Sequence, residues 1–256
     1  MIDIHTHLLP NIDDGPEDID TTLKMIEIYK NEGVSSVIAT PHYYLPKFEN
    51  IPNVIKEKVE SVNNILKENN IDFKIYPGSE VFVSKHILED IKQGRIQTLN
   101  DTRYILLEFD FKKFPSYGLD LIYEIHLLGY RVIVAHPERY EYVIDDITFL
   151  NSLIDEGCLI QLNSSSLTGI FGKEVKKTAL KIVENGSYNF IATDAHTLNK
   201  RGPYLCEAIT ILNKYNKSSD KYLKEMSENL LNNVEICNKL NKFNKKRSIF
   251  DFFIKK

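Results

Sequence analysis

Asp3-Ile4-His5-Thr6-His7 is the stretch on which the fold of this chain turns. With Met1 and Ile2 before it, the run alternates apolar and polar residues, the period-two mark of a β-strand. On a strand, residues i and i+2 face the same way, roughly 6.6 Å apart at about 3.3 Å per residue. His5 and His7 can therefore point to one side, as two imidazoles of a metal site must. Taken alone, a His-x-His pair also describes two surface histidines. Its meaning depends on where the other histidines and acids fall.

Working outward, apolar runs at Val34–Ala39, Phe73–Tyr76, Tyr104–Glu108, Arg131–Ala135, Leu159–Leu162 and Tyr188–Thr193 read as further strands. Helical stretches lie between them, with glycine stops at Gly33, Gly129, Gly157 and Gly186. The first helix begins near Pro16-Glu17-Asp18, with acids in its first turn. From Tyr204 the chain reads as two helices and a tail. About seven β-then-α units result, and such alternation points to a parallel sheet, closed as a barrel or open.

Each strand exit carries a metal-binding or polar group. The first is followed by His5, His7 and, on a loop closed by Gly15 and Pro16, Asp14. The later exits carry His42, Glu80, Glu108, His136 with Arg139, Asn163, and Asp194 with His196. In a parallel α/β barrel these exits share one face, where active sites are built. Five of the seven histidines sit at such exits. The other two, His86 and His126, lie in helical stretches and read as packing or surface residues.

Imidazoles with carboxylates suit zinc, manganese or iron rather than calcium. Five histidines and four acids exceed what one catalytic ion takes, so two or three ions are expected, with Glu80 bridging. Without cations, so many gathered carboxylates would repel one another. Adjacent ions activate water and clamp the oxygens of an in-line displacement, which is hydrolytic chemistry on phosphoesters. Arg139 and Arg201 stand at the same rim, and a guanidinium fork matches phosphate oxygens. No cysteine is followed by arginine at the Cys-x5-Arg spacing, so covalent thiol catalysis is not expected.

The chain has 256 residues, 43% hydrophobic and 27% charged, enough for one sizeable core. A net charge of −4 gives no positive field for nucleic acid. Three scattered cysteines, Cys158, Cys206 and Cys237, are not a disulfide framework. No secretory signal is visible and no apolar run reaches about 18 residues, so a cytoplasmic protein without a membrane span is expected.

Asp3–His7, Asp13-Asp14-Gly15-Pro16, Ala39–His42, Gly78-Ser79-Glu80, Leu107-Glu108, Ala135–Tyr140, Gln161–Ser165 and Thr193–His196 together resemble the polymerase-and-histidinol-phosphatase (PHP) superfamily. More narrowly they resemble its bacterial protein-tyrosine phosphatases of the CpsB and YwqE type, over roughly residues 1 to 230. The resemblance implies a single domain, a distorted (β/α)7 TIM-like barrel, with three divalent ions, manganese first and iron or zinc as alternatives. It implies that His5, His7, Glu80 and Asp194 hold one ion. Glu80, Glu108 and His136 hold a second, and Asp14, His42 and His196 a third. Arg139 and Arg201 fall at the family's phosphate-gripping arginines. The implied reaction is direct attack on phosphorus by a metal-bridging hydroxide, without a phosphoenzyme. The implied substrate is the phosphotyrosine-rich tail of a cognate bacterial tyrosine kinase that governs capsule or exopolysaccharide assembly. A small-molecule phosphoesterase, such as a histidinol-phosphatase, and a non-catalytic phosphopeptide-binding module are the competing readings. Two segments stand apart from this pattern. Tyr43-Tyr44-Leu45-Pro46 is less polar than the family's usual loop and is placed to shape the substrate mouth. The Lys- and Phe-rich end, 235–256, is expected to be a helical tail packing its aromatic side on the barrel.

Overall fold

The computed structural model describes residues 1–244. Its strands are β1 (Ile2–Thr6), β2 (Ser36–Ala39), β3 (His42–Tyr44), β4 (Phe48–Glu49), β5 (Lys74–Pro77), β6 (Glu80–Phe82), β7 (Tyr104–Glu108), β8 (Arg131–Ala135), β9 (Leu159–Asn163) and β10 (Phe190–Ala192). The order β1-β2-β5 forms one sheet, and β10-β9-β8-β7-β6-β3-β4 the other. All pairings are parallel except the short β3–β4 hairpin. β3 continues β2 after Thr40-Pro41, and β6 continues β5 after Gly78-Ser79. Seven staves therefore make up the barrel, as the β-then-α count predicts, but two of them are broken near the top. The seam closes where β1 meets the segment after β10. There His7 N donates to Ala195 O at 2.9 Å and Asp194 N to His5 O at 2.9 Å.

The breaks have local causes. Pro41 removes a backbone donor from its stave. At Gly78 an added Cβ would lie 2.7 Å from Ile38 and 2.9 Å from Leu99, so the chain passes there only without a side chain. Above its break, β3 pairs with β6 and β4 rather than with β1. The gap left beside β1 is filled by the loop carrying Asp13 and Asp14. That loop is tied down by His42 N donating to Asp13 Oδ2 at 3.0 Å and by Asn50 Nδ2 donating to Ile12 O at 3.0 Å.

Strand alternation sorts the core into two layers. Ile105, Leu107, Val132, Val134, Ile160 and Leu162 face outward and pack under the helices. Ile38, Leu106, Ile133, Leu159 and Phe190 fill the barrel interior. The helices that cover the outer layer are α1 (Ile19–Asn31), α2 (Pro52–Glu68), α3 (Ile87–Lys92), α4 (Gly118–Leu127), α5 (Glu141–Asp145), α6 (Leu150–Asp155), α7 (Ser164–Thr168), α8 (Lys173–Asn185), α9 (Cys206–Tyr215) and α10 (Ser219–Leu231). α1 starts at Asp18, whose carboxylate accepts from Thr21 N at 2.7 Å. It buries Thr22, Met25, Ile26 and Tyr29 at helical spacing. Leu230 and Ile236 plug the bottom of the barrel, where Tyr104 Oη donates to Val234 O at 2.6 Å.

Two expectations change. β1 does not alternate regularly: its register against β2 slips by one residue between Asp3 and Thr6. This extra residue lets Ile4 pack inside the barrel while the adjacent His5 also reaches inward, as a bulge re-aims side chains. The second change is at the C-terminus, where residues 235–244 form no helix. They run as an extended strap held by asparagines. Asn238 Nδ2 donates to Ile154 O at 3.2 Å and to Cys158 O at 2.8 Å, and Phe243 N donates to Asn151 Oδ1 at 2.8 Å. Asparagine side chains compete for backbone partners and disfavour a helix interior. Phe243 does pack against the core as expected. The rest of the expected tail, 245–256, lies outside the described residues.

Candidate metal centre

The barrel mouth gathers every side chain singled out at the strand exits. His5 Nε2 lies 3.3 Å from His7 Nε2, 3.3 Å from Glu80 Oε1 and 3.5 Å from Asp194 Oδ1. His7 Nε2 lies 3.2 Å from Glu80 Oε2 and 3.5 Å from Asp194 Oδ1. Beside them, Asp14 Oδ1 stands 3.5 Å from His42 Nε2 and 3.3 Å from His196 Nε2. His136 Nε2 completes the far side, 3.1 Å from Glu80 Oε1 and 3.6 Å from Glu108 Oε1.

Three overlapping donor groups follow, the ligand atoms of each lying within 4.8 Å of one another. They are His5, His7, Glu80 and Asp194; His7, Asp14, His42 and His196; and His42, Glu80 and Glu108. The first is the set expected from the sequence. The second is the expected trio joined by His7. The third holds His42 where His136 was expected, with His136 against the same two carboxylates. Glu80 is shared between groups, as a bridging carboxylate would be.

The imidazoles are oriented from behind. His7 Nδ1 donates to Asp13 Oδ2 at 2.7 Å, His5 Nδ1 to Gln161 Oε1 at 2.9 Å, and His196 Nδ1 to the Asp194 carbonyl at 2.9 Å. Each bond turns Nδ1 to its partner and leaves Nε2 facing the cluster, the arrangement of metal-ligating histidines. Against the effect of burial, Glu80 and Asp194 raise the pKa of His5, and Asp13 and Glu80 that of His7. Asp13 and Gln161 were not among the sequence candidates. Their signal was present: Asp13 adjoins Asp14, and Gln161 precedes Asn163 by two on the same strand face. Asn163 itself donates through Nδ2 to Asp194 Oδ2 at 2.9 Å. Asp3, another unforeseen acid, is fully buried away from the cluster. It accepts from Tyr29 Oη at 2.8 Å and from Thr193, so it anchors the strand that carries His5.

The electrostatics fit cations. Burial pushes the Glu108 carboxyl well above its usual range, and the charges of Glu80 and Asp194 push it further. Burial opposes ionisation of Glu80 too, yet His5 and His42 hold it well below the carboxylate range. Burial, with His7 nearby, lowers His42 to about 4; burial and Arg139 do the same for His136. The Nδ1 atom of His136 is buried without a hydrogen-bond partner, and that of His42 faces Glu80 Oε2 at 3.2 Å. Two imidazole nitrogens 3.3 Å apart beside two buried carboxylates match the donor chemistry of divalent transition ions.

Two of these residues sit on strained backbone. His136 (φ 33°) and Asp194 (φ 51°) adopt the left-handed region that non-glycine residues avoid. His136 follows directly on β8 and Asp194 stands two residues past β10, and each turns its side chain over the barrel mouth. The chain at Gly15 passes so close to the His7 carbonyl that a Cβ there would collide with it.

Arg139 and Arg201 meet at one carboxylate. Arg139 Nη1 lies 2.8 Å from Asp194 Oδ2, and Arg201 Nη2 lies 3.1 Å from Asp194 Oδ1. Arg139 is gripped between the rings of Phe111 and Phe171, 4.9 and 4.3 Å from their centroids. Arg201 keeps a buried Nε–H without a partner. Both border a cavity of about 440 Å³ that also reaches His42, Glu80, Glu108 and Asp194. No cysteine lines it. Of the two histidines set aside, His86 is exposed, His126 on α4 accepts a bond from Val132 N of β8, and neither lines this cavity.

Residues 1–235 match a family model described as capsular polysaccharide synthesis, CpsB/CapC. The tyrosine-protein phosphatase YwqE of Bacillus subtilis is 36% identical over 99% of this chain and 100% of its own length. The putative tyrosine-protein phosphatase CapC of Staphylococcus aureus is 34% identical over 88% of this chain and 89% of its own. A crystal structure from work on YwqE of B. subtilis and CpsB of Streptococcus pneumoniae, described as metal-dependent tyrosine phosphatases, superposes with a TM-score of 0.91. It shares 35% identity and covers 96% of this chain and 100% of the solved one.

Proposed function

We infer the function from kinship and site together: the chain belongs to the CpsB/CapC family, and it is a metal-dependent tyrosine-protein phosphatase. The observation that carries the reading is the convergence of three donor groups on one cavity beside two arginines. Three divalent ions are proposed. His5, His7, Glu80 and Asp194 hold the first; Glu80, Glu108 and His136 the second; Asp14, His42 and His196 the third. Manganese suits the mixed imidazole and carboxylate donors, with iron or zinc as alternatives. Bound ions supply an activated water and offset the charge of the phosphate.

The chain's own side chains do the rest. Arg139 and Arg201 grip the non-bridging phosphate oxygens, Arg139 pre-oriented by its two flanking rings and Arg201 through its free Nε–H. Glu80 and Asp194 are catalytic in holding the ions at the reacting phosphate. Water attacks phosphorus directly as the bond to the tyrosine oxygen breaks, so that phosphate and the free tyrosine side chain leave and no phosphoenzyme forms. A thiol route is not supported, because Cys158 is buried in the core with its thiol pushed up by burial. The proposed substrate is the tyrosine-rich tail of a cognate bacterial tyrosine kinase, in the pathway of capsule or exopolysaccharide synthesis. The proposed compartment is the cytoplasm, which three unpaired cysteines suit. Among the described residues no helix is long and apolar enough to cross a membrane.

The test sets phosphotyrosine peptides against histidinol phosphate, with and without manganese. Manganese-dependent release of phosphate from the peptides is expected. Faster turnover of histidinol phosphate would move the protein to small-molecule hydrolysis on the same fold.

A further inference from the structure

We propose that Tyr44 and Phe82 form the wall that holds the aromatic ring of the substrate, making the cavity selective for aryl over alkyl phosphates. The inference deepens the phosphatase reading and rests on it for the phosphate itself. β3 and β6 pair in register, His42 opposite Glu80 and Tyr43 opposite Val81. His42 and Glu80 point into the mouth, while Tyr43 and Val81 are buried in the outer core layer. One alternation further on, Tyr44 and Phe82 must face the mouth again, roughly 6.6 Å above the ligand pair at about 3.3 Å per residue. Both line the cavity that contains the donor groups.

The two rings pack against one another at a tilt of 31°, 4.2 Å between centroids. Tyr44 remains 39% exposed, a large apolar surface at the rim of a charged site. Phe48, beside it on β4, stacks over His42 at 5.8 Å. Across the cavity Phe111 lies flat against His136 at 5.7 Å. A phosphate gripped by Arg139 and Arg201 would project its ester group toward the aromatic faces that line the same cavity. A phenyl ring can stack there, whereas an alkyl chain finds no matching partner. A cavity of about 440 Å³ is of the size that takes a small ligand.

The test is titration calorimetry of the manganese-loaded protein with three probes: phenylphosphonate, methylphosphonate and inorganic phosphate. None is hydrolysed, so leaving-group chemistry does not enter. The wild-type chain should prefer phenylphosphonate over methylphosphonate by about threefold to tenfold, the strength of one aromatic pair. Tyr44→Ala should remove that preference, Tyr44→Phe should keep it, and inorganic phosphate should bind all three proteins alike. Phe82→Leu provides an independent second variant. A preference that survives both Tyr44→Ala and Phe82→Leu overturns the wall while leaving the phosphatase reading intact. Parallel loss of phosphate and phenylphosphonate in Tyr44→Ala overturns it as well, since Tyr44 would then support the ions. Wild-type protein that binds none of the probes would instead undermine the phosphate site itself.

Discussion

Asp194 is the residue on which the site depends most. Its two oxygens meet His5, His7, Arg139, Arg201 and Asn163, and its backbone is held in the left-handed region. Asp194→Ala should abolish turnover, and His136→Ala likewise, with circular dichroism of the fold unchanged; appreciable residual activity in either would refute the assignment. Arg139 plays another part. Arg139→Ala should lower kcat by about a hundredfold or more, as loss of a charge-stabilising donor does, while metal content by elemental analysis stays at the wild-type level. Equal loss of metal would place Arg139 among the supports of the ions rather than at the phosphate. Asp13→Asn tests the orienting shell. It should weaken metal affinity by about tenfold to a hundredfold, measured by competition with a chelator, because the hydrogen bond that aims His7 is blunted. The nine proposed ligands were legible from residue type and position alone. Asp13 and Gln161 were not, since a second-layer partner is defined only by the ring it touches.

At the scale of elements, strand ends and loops explain why these side chains meet. The parallel order was readable, because β-then-α alternation leaves few topologies. The breaks at Thr40-Pro41 and Gly78-Ser79 were not, although a proline and a glycine mark them. The broken staves let β3 leave β1, and the Asp13–Gly15 loop enters the gap so that Asp14 reaches His42 and His196. The strap over 235–244 is the other structural surprise. Its composition offered both lysines that suit a helix and asparagines that do not, and the carbonyls of Ile154 and Cys158 settled the matter. Asn238→Ala should therefore lower stability by about 1–3 kcal/mol, the cost of leaving the Cys158 carbonyl without this donor, with kcat on phosphopeptide unaffected. A thermal melt identical to wild type would show that the strap adds nothing to the barrel.

For the whole molecule, the mouth of one closed barrel concentrates buried acids and imidazoles that a metal-free protein accommodates poorly. Chelation by EDTA should abolish activity and lower Tm, because ions that bind only the folded state add to its stability. Manganese should restore both, and elemental analysis of the restored protein should give close to three ions per chain; one or none would contradict the proposed cluster. Composition and spacing by themselves determined a parallel β/α sheet and one face lined with candidate ligands, while closure into a barrel came only from the family resemblance. Parallel β/α order forces every strand exit to the same end, so the residues just past the strands must come together wherever else the chain goes. Only the tertiary structure decided which candidate ligand joins which group, that both arginines converge on Asp194, and that Tyr44 meets Phe82 beside the donor groups. Most of those contacts join residues tens to nearly two hundred positions apart, Arg201 and Asp194 being the near pair, and they are set by strand register, by a one-residue bulge and by closure of the barrel, none of which local sequence preference encodes.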